Sequence, residues 1–125
     1  HGCVLDAEAT VERSVLGPGV HVEKGGVVRD SVLLNDTVVG RDAEVHRAIV
    51  DKRARIGRGA RIGAPVIGGA PPPLAIVGKA SAVPERFVVH AGGEIAHDVV
   101  ASDLEGDEVP AGLCVYTKRR PWEVP

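Results

Sequence analysis

The sequence predicts an all-β chain wound as a parallel β-helix of about five coils, and three features lead there. The first is a 17-residue period: Leu5, Val22, Val39 and Ile56 lie 17 apart, as do Val11, Val28, Val45 and Ile62, and Leu16, Leu33, Val50 and Ile67. The second is that the aliphatics within each period are separated by steps of six, five and six residues. Three superposable steps per turn describe a chain wound around a triangular prism. The third is a set of small side chains in register with the large ones. Ala9, Gly26, Ala43 and Ala60 form one such file, Ser14, Ser31, Ala48 and Pro65 another, and Cys3 joins Val20, Thr37 and Ala54.

Taken in order, residues 1 to 67 hold three full coils and most of a fourth. β-Branched Val and Ile suit the flat sides, and Gly17, Gly19, Gly25, Gly40, Gly57 and Gly59 suit the corners. Hydrogen bonds then run between successive coils, ~4.8 Å apart. No coil can bury its own aliphatics alone, so stacking makes the fold. At Gly68 the period breaks. Residues 68–76 (GGAPPPLAI) contain three consecutive prolines that cannot donate to a ladder, and they read as a loop of about four extra residues. Such a loop is a tolerated insertion or a contact arm for a partner domain or subunit. The six-residue rhythm resumes at Val77, Val83, Val89 and Ile95. The β-helix thus spans 1–102, and 103–125 reads as a capping strand and tail. Tyr116 and Trp122 stand where they could cover the open end of the prism.

Composition agrees with a thin, repetitive interior. Phe, Tyr and Trp occur once each and Met is absent, so the 44% hydrophobic content is mostly Val, Ala, Leu and Ile. A net charge of −2 gives no general attraction to nucleic acid or membrane. No apolar run approaches the ~20 residues that span a bilayer. Cys3, in an inward file, reads as a small hydrophobe and not as half of a disulfide with Cys114. A cytoplasmic protein is expected. The chain begins at His1 inside a coil and reads as a piece of something longer.

Hexapeptide steps such as VGRDAEV, IGRGARI and VGKASAV are typical of left-handed coils, against the usual right-handed crossover rule. The coil sequences carry a further likeness. GCV at 2–4, VERSVLGPGVHV, VVRDSVLLNDTVVG and VHRAIVDKRARIGRGARIG together resemble the C-terminal β-helix domain of ADP-glucose pyrophosphorylases (glucose-1-phosphate adenylyltransferases). The resemblance implies the left hand. It also implies a parent that makes ADP-glucose and pyrophosphate from ATP and glucose 1-phosphate with magnesium. That chemistry would lie in an N-terminal nucleotidyltransferase domain whose glycine-rich loop holds the nucleotide phosphates. No such loop stands in this chain, so no catalytic residue and no cofactor are assigned to it. The roles implied here are holding a homo-oligomer together, contacting the catalytic domain, and forming part of an effector site for sugar phosphates.

Two groups of residues could carry such roles or others. Lys24, Arg41 and Arg58 are again 17 apart and should stack on one edge, with Lys52 and Arg53 adding charge nearby, as do Arg55 and Arg61. Adjacent cations at this spacing repel by about 1 kcal/mol in water, so the file is either relieved by acids such as Asp36, Asp42, Glu44 and Asp51 or used to hold an anion. The second group is His21, His46, His90 and His97. Hexapeptide acyltransferases use a histidine base beside an acyl-CoA channel, and hexapeptide carbonic anhydrases place three around zinc. The 90/97 spacing is neither one step nor one coil, and no carboxylate is positioned in the sequence to orient either ring. Ser14 and Ser31 read as core spacers. The function expected is therefore that of a non-catalytic β-helix domain of a sugar nucleotidyltransferase, with a stand-alone acyltransferase, or an assembly module from another sugar-nucleotide pyrophosphorylase, as alternatives.

Overall fold

Short β-branched segments separated by tight turns build seventeen strands, β1 to β17 in chain order, in a computed structural model that describes residues 2–124. The first face of the prism stacks β1 (Val4–Leu5), β4 (His21–Val22), β7 (Val38–Val39), β10 (Arg55–Ile56) and β13 (Ala82–Val83). The second stacks β2 (Thr10–Glu12), β5 (Val27–Arg29), β8 (Glu44–His46), β11 (Arg61–Ile62), β14 (Val88–Val89) and β16 (Glu108–Val109). The third stacks β3 (Val15–Leu16), β6 (Val32–Leu33), β9 (Ala48–Val50), β12 (Ala75–Val77), β15 (Glu94–Ile95) and β17 (Cys114–Val115). Every pairing is parallel, and the register pairs Leu5 with Val22, Val11 with Val28 and Leu33 with Val50 as the 17-residue period requires. Six strands on two faces mean one coil more than the expected five.

The interior is the predicted set of files. Val22, Val39, Val28, Val45, Ile62, Leu33 and Val50 are fully buried, as are the small spacers Ala43, Ala48, Ala54 and Ala60. One aromatic also enters the core. Phe87, 3% exposed, occupies the file of Ala43 and Ala60 one coil further on. Corners turn through left-handed backbone even at non-glycine residues, including Asp36 (φ 60), Asp42 (φ 57) and Arg53 (φ 58). Gly63 has no alternative: at φ +75, an added Cβ would lie 1.9 Å from the carbonyl oxygen of His46.

The loop differs from its expected bounds of 68–76. Ala75, Ile76 and Val77 pair in register with Ala48, Ile49 and Val50, so the excursion runs from 64 to 74 and adds ten residues, 27 in place of 17 between Val50 and Val77. Ile67 is 82% exposed and outside the ladder. The reason is a proline. Ala75 takes the place that Pro65 would have filled, and its N–H donates to the Arg47 carbonyl at 3.2 Å, a bond proline cannot make. The loop is tied down at its far end, where Arg47 Nε donates to the Pro72 carbonyl (3.1 Å) and Gly92 N–H to that of Leu74 (3.2 Å).

The serines are more than spacers. The Ser31 hydroxyl donates to the Arg29 carbonyl (2.8 Å) and accepts the Ala48 N–H (3.1 Å), while the Ser31 N–H donates to the Ser14 hydroxyl (3.1 Å). On the short five-residue step, hydroxyls stand in for a backbone carbonyl between coils.

The C-terminal cover is also built differently. Tyr116 and Trp122 are 67% and 76% exposed and do not bury themselves against the end of the prism, and Arg120 lies 5.4 Å from the Trp122 ring centroid. Instead a 3-10 turn, Ala101–Asp103, leads into the last strands β16 and β17, with Leu104 packed on the core. Asp103 is buried and accepts N–H bonds from Val100 (3.0 Å) and Lys118 (2.8 Å), tying the tail to the prism. Burial pushes its pKa up, but these two N–H donors, the Thr117 hydroxyl and the Arg119 charge outweigh that and hold it below the usual carboxylate value.

Candidate functional site

Corner turns stack through backbone bonds, which place the cations. Asp42 N–H donates to Lys24 O (3.1 Å), Gly59 N–H to Arg41 O (2.8 Å) and Arg86 N–H to Arg58 O (2.8 Å), so Lys24, Arg41 and Arg58 occupy successive turns of one edge. Lys52 and Arg53 stand on a different edge. There Arg53 N–H donates to Asn35 O (2.9 Å), Ala80 N–H to Lys52 O (2.9 Å) and Asp98 N–H to Lys79 O (2.8 Å), which sets Lys79 one coil beyond Lys52. The five predicted residues therefore flank the first face from two sides. Between them, Arg55 projects outward from β10, in register with Val38 on one side and Ala82 on the other.

Among the described residues, no ion pair involves Arg41, Lys52, Arg53, Arg55, Arg58, Arg61 or Lys79. Asp51, one of the acids that could relieve them, spends its Oδ1 on the Lys52 backbone N–H (2.6 Å). Other cations of the same fold are paired. Lys24 meets Glu8 at 3.7 Å, Arg13 meets Asp30 at 2.7 Å, and Arg29 binds Glu12. The hydrogen bond from Arg29 holds the Glu12 carboxyl below its ordinary pKa, and that from Arg13 does the same for Asp30. Lys79 was not legible as a member because the ten-residue loop puts it 27 positions after Lys52.

The histidines acquire carboxylates that sequence spacing did not reveal. His90 Nε2 lies 2.6 Å from Glu108 Oε1 and His97 Nδ1 lies 2.8 Å from Asp98 Oδ2. His46 Nε2 lies 3.0 Å from Glu44 Oε1, and its Nδ1 is buried without a partner. His90 and Glu108 line an open groove of about 220 Å³ with Arg86, Val88 and Asp107. A second hollow, about 250 Å³, lies beneath the tail and is lined by Leu104, Val109, Leu113, Cys114 and Tyr116 among others. The groove meets the first basic edge at Arg86, whose N–H donates to the Arg58 carbonyl, while none of Lys24, Arg41, Arg58, Lys52 and Arg53 lines either hollow. Cys3 and Cys114 are not joined; Cys3 packs beside the core and donates to the Gly17 carbonyl (3.2 Å). Among the described residues, no three His, Cys, Asp or Glu side chains converge as metal ligands, and no helix is long and apolar enough to cross a membrane.

Residues 1–66, more than half of the chain, match the family model described as GlmU-like, C-terminal hexapeptide. The chain belongs to this family. Its hexapeptide coils are those of a left-handed β-helix. Among solved structures, the chain is similar to the acetyltransferase domain of PglB from Neisseria gonorrhoeae FA1090, at 22% identity and TM-score 0.45, covering 91% of this chain and 54% of that one. It is also similar to a GDP-perosamine N-acetyltransferase from Caulobacter crescentus solved with CoA and GDP-perosamine, at 22% identity and TM-score 0.45, covering 82% and 46%. This chain thus spans about half the length of these structures. No curated protein matches it.

Proposed function

We propose that this hexapeptide β-helix is the non-catalytic C-terminal domain of a glucose-1-phosphate adenylyltransferase-like sugar nucleotidyltransferase, and that it serves subunit assembly. The observation that carries this reading is where its outward apolar side chains lie. On the third face Val15, Val32, Ile49 and Ile76 project outward in register, and Val15 is 65% exposed. These residues belong to the coils whose sequences resemble ADP-glucose pyrophosphorylases, up to and just past the loop. An apolar stripe on a sheet face is a surface that an assembly covers. The ATP, magnesium and sugar phosphate of the parent reaction would be handled in a catalytic domain outside this chain, in the cytoplasm. The basic edges, Lys24, Arg41 and Arg58 on one side and Lys52 and Arg53 on the other, would meet an anionic group of the assembled enzyme or of its effector.

A second reading, a hexapeptide acyltransferase, is favoured by one observation: the His90–Glu108 pair opens onto a groove, and a carboxylate-oriented imidazole is the geometry of a general base. Light scattering and coenzyme A calorimetry separate the two. Under the assembly reading the chain self-associates, Ile49→Asp disperses it without lowering its melting temperature, and coenzyme A gives no heat. Binding of coenzyme A that is lost in His90→Ala would overturn the assembly reading in favour of the acyltransferase.

A further inference from the structure

We infer that the first face around the fourth coil is a docking surface for an acidic protein segment, a carboxylate-rich stretch of a partner polypeptide lying across Arg55 between the two basic edges. This rests on the assembly reading and names the chemistry of the partner. The first argument is pairing. Lys24, Arg13 and Arg29 in the first two coils each meet a carboxylate of a neighbouring coil, so this fold pairs its cations where acids are in reach. The fourth coil departs from that habit with five cations in ten residues, Lys52, Arg53, Arg55, Arg58 and Arg61, joined by Arg41 below and Lys79 above, and among the described residues none of the seven has an ion pair. Concentrated like charge held without counter-charge stores repulsion that an incoming anion relieves.

Shape chooses among anions. The belt is exposed, and none of its seven cations lines either of the two hollows described above. Arg55 stands on β10, and Arg53 and Arg58 stand in the turns before and after it, so the three cations follow one another across the first face. An extended acidic peptide laid across the face passes all three. Val38 and Ala82, short neighbours of Arg55, let a backbone approach the face closely. A long nucleic acid fits less well. It would run off the belt onto Asp36, Asp42, Glu44 and Glu85 in a chain of net charge −2, and it would find no base-stacking ring. Phe87 is buried, and Tyr116 and Trp122 lie in the tail.

The test is fluorescence anisotropy with a short labelled peptide of alternating glutamate and alanine, at low and at physiological salt, alongside amide NMR. Binding is expected to weaken with salt and to shift residues 53–58 and 79–82. Arg53→Glu with Arg55→Glu should weaken it by on the order of tenfold while melting is unchanged, and Arg13→Glu, a cation already paired, should leave affinity within about twofold. No binding at low salt, or binding indifferent to the double charge reversal, would overturn the inference. So would tighter binding of a DNA duplex of equal charge, displacement of the peptide by inorganic phosphate at equal ionic strength, or a changed oligomeric state in the Arg53/Arg55 variant with no peptide present. Each of these leaves the assembly reading to be judged by its own light-scattering result.

Discussion

Ser31→Ala tests a position where a side chain replaces backbone in the coil-to-coil ladder. The hydroxyl is buried at 3% residue exposure, donates to Arg29 O at 2.8 Å and accepts the N–H of fully buried Ala48 at 3.1 Å. Removing it opens little space, since alanine already serves in the same file at position 48. What it leaves is a buried N–H without an acceptor, which costs about 1–3 kcal/mol. With unfolding entropy near 2.1 cal/mol/K per residue over 125 residues, that becomes a loss of roughly 4–11 °C in melting temperature. Circular dichroism melts of Ser31→Ala, with Ser14→Ala alongside, measure it. Ser14 is half-exposed and sits in the first coil, so its effect should be the smaller. A Ser31→Ala melt within a degree or so of the parent would refute the hydroxyl bridge and return Ser31 to the role of a passive spacer.

Two further outcomes follow from burial and from the cap. Val39→Asp places a carboxylate in a fully buried file, losing about 1.5–3 kcal/mol of apolar burial before the cost of the charge, and should unfold the central coils, whereas Lys24→Ala removes only an exposed pair and should leave the melt unchanged. Equal losses in the two would contradict the inside/outside assignment. Asp103 has a folded pKa below its unfolded value, so its contribution is complete above the unfolded value of about 3.9 and disappears as pH falls through the lower, folded one. Amide exchange at Val100 and Lys118 should therefore accelerate below about pH 4, and Asp103→Asn should show fast exchange already at neutral pH. Exchange at both amides that stays slow in Asp103→Asn would remove the carboxylate as the lock.

How far the linear text reached depends on the element. The buried files from Val22 to Ile62 were legible because every coil puts the same chemistry at the same position, so a three-dimensional stack appears as a one-dimensional period. The departure of the loop was misplaced by the same logic. Ile67 keeps the spacing after Val50, but spacing records side-chain position, and what excluded Pro65 was a missing backbone donor that Ala75 supplies to Arg47. The cap failed for a related reason: beyond Asp98 the repeat ends, and nothing in the sequence distinguishes a buried Asp103 from an exposed Trp122.

The candidate site divides along the same line. By itself the sequence determined the all-β coil, its inward and outward files, and the stacking of Lys24, Arg41 and Arg58, since all three depend on periodicity alone. Only the tertiary structure decided that Lys52 and Arg53 stand on another edge, that Arg55 lies between the two, and that Lys79 joins them across a ten-residue loop. It alone brought Glu108 to His90. The physical reason is that charge interactions depend on distance through space, and once an insertion or a fading repeat breaks the period, distance along the chain no longer reports it.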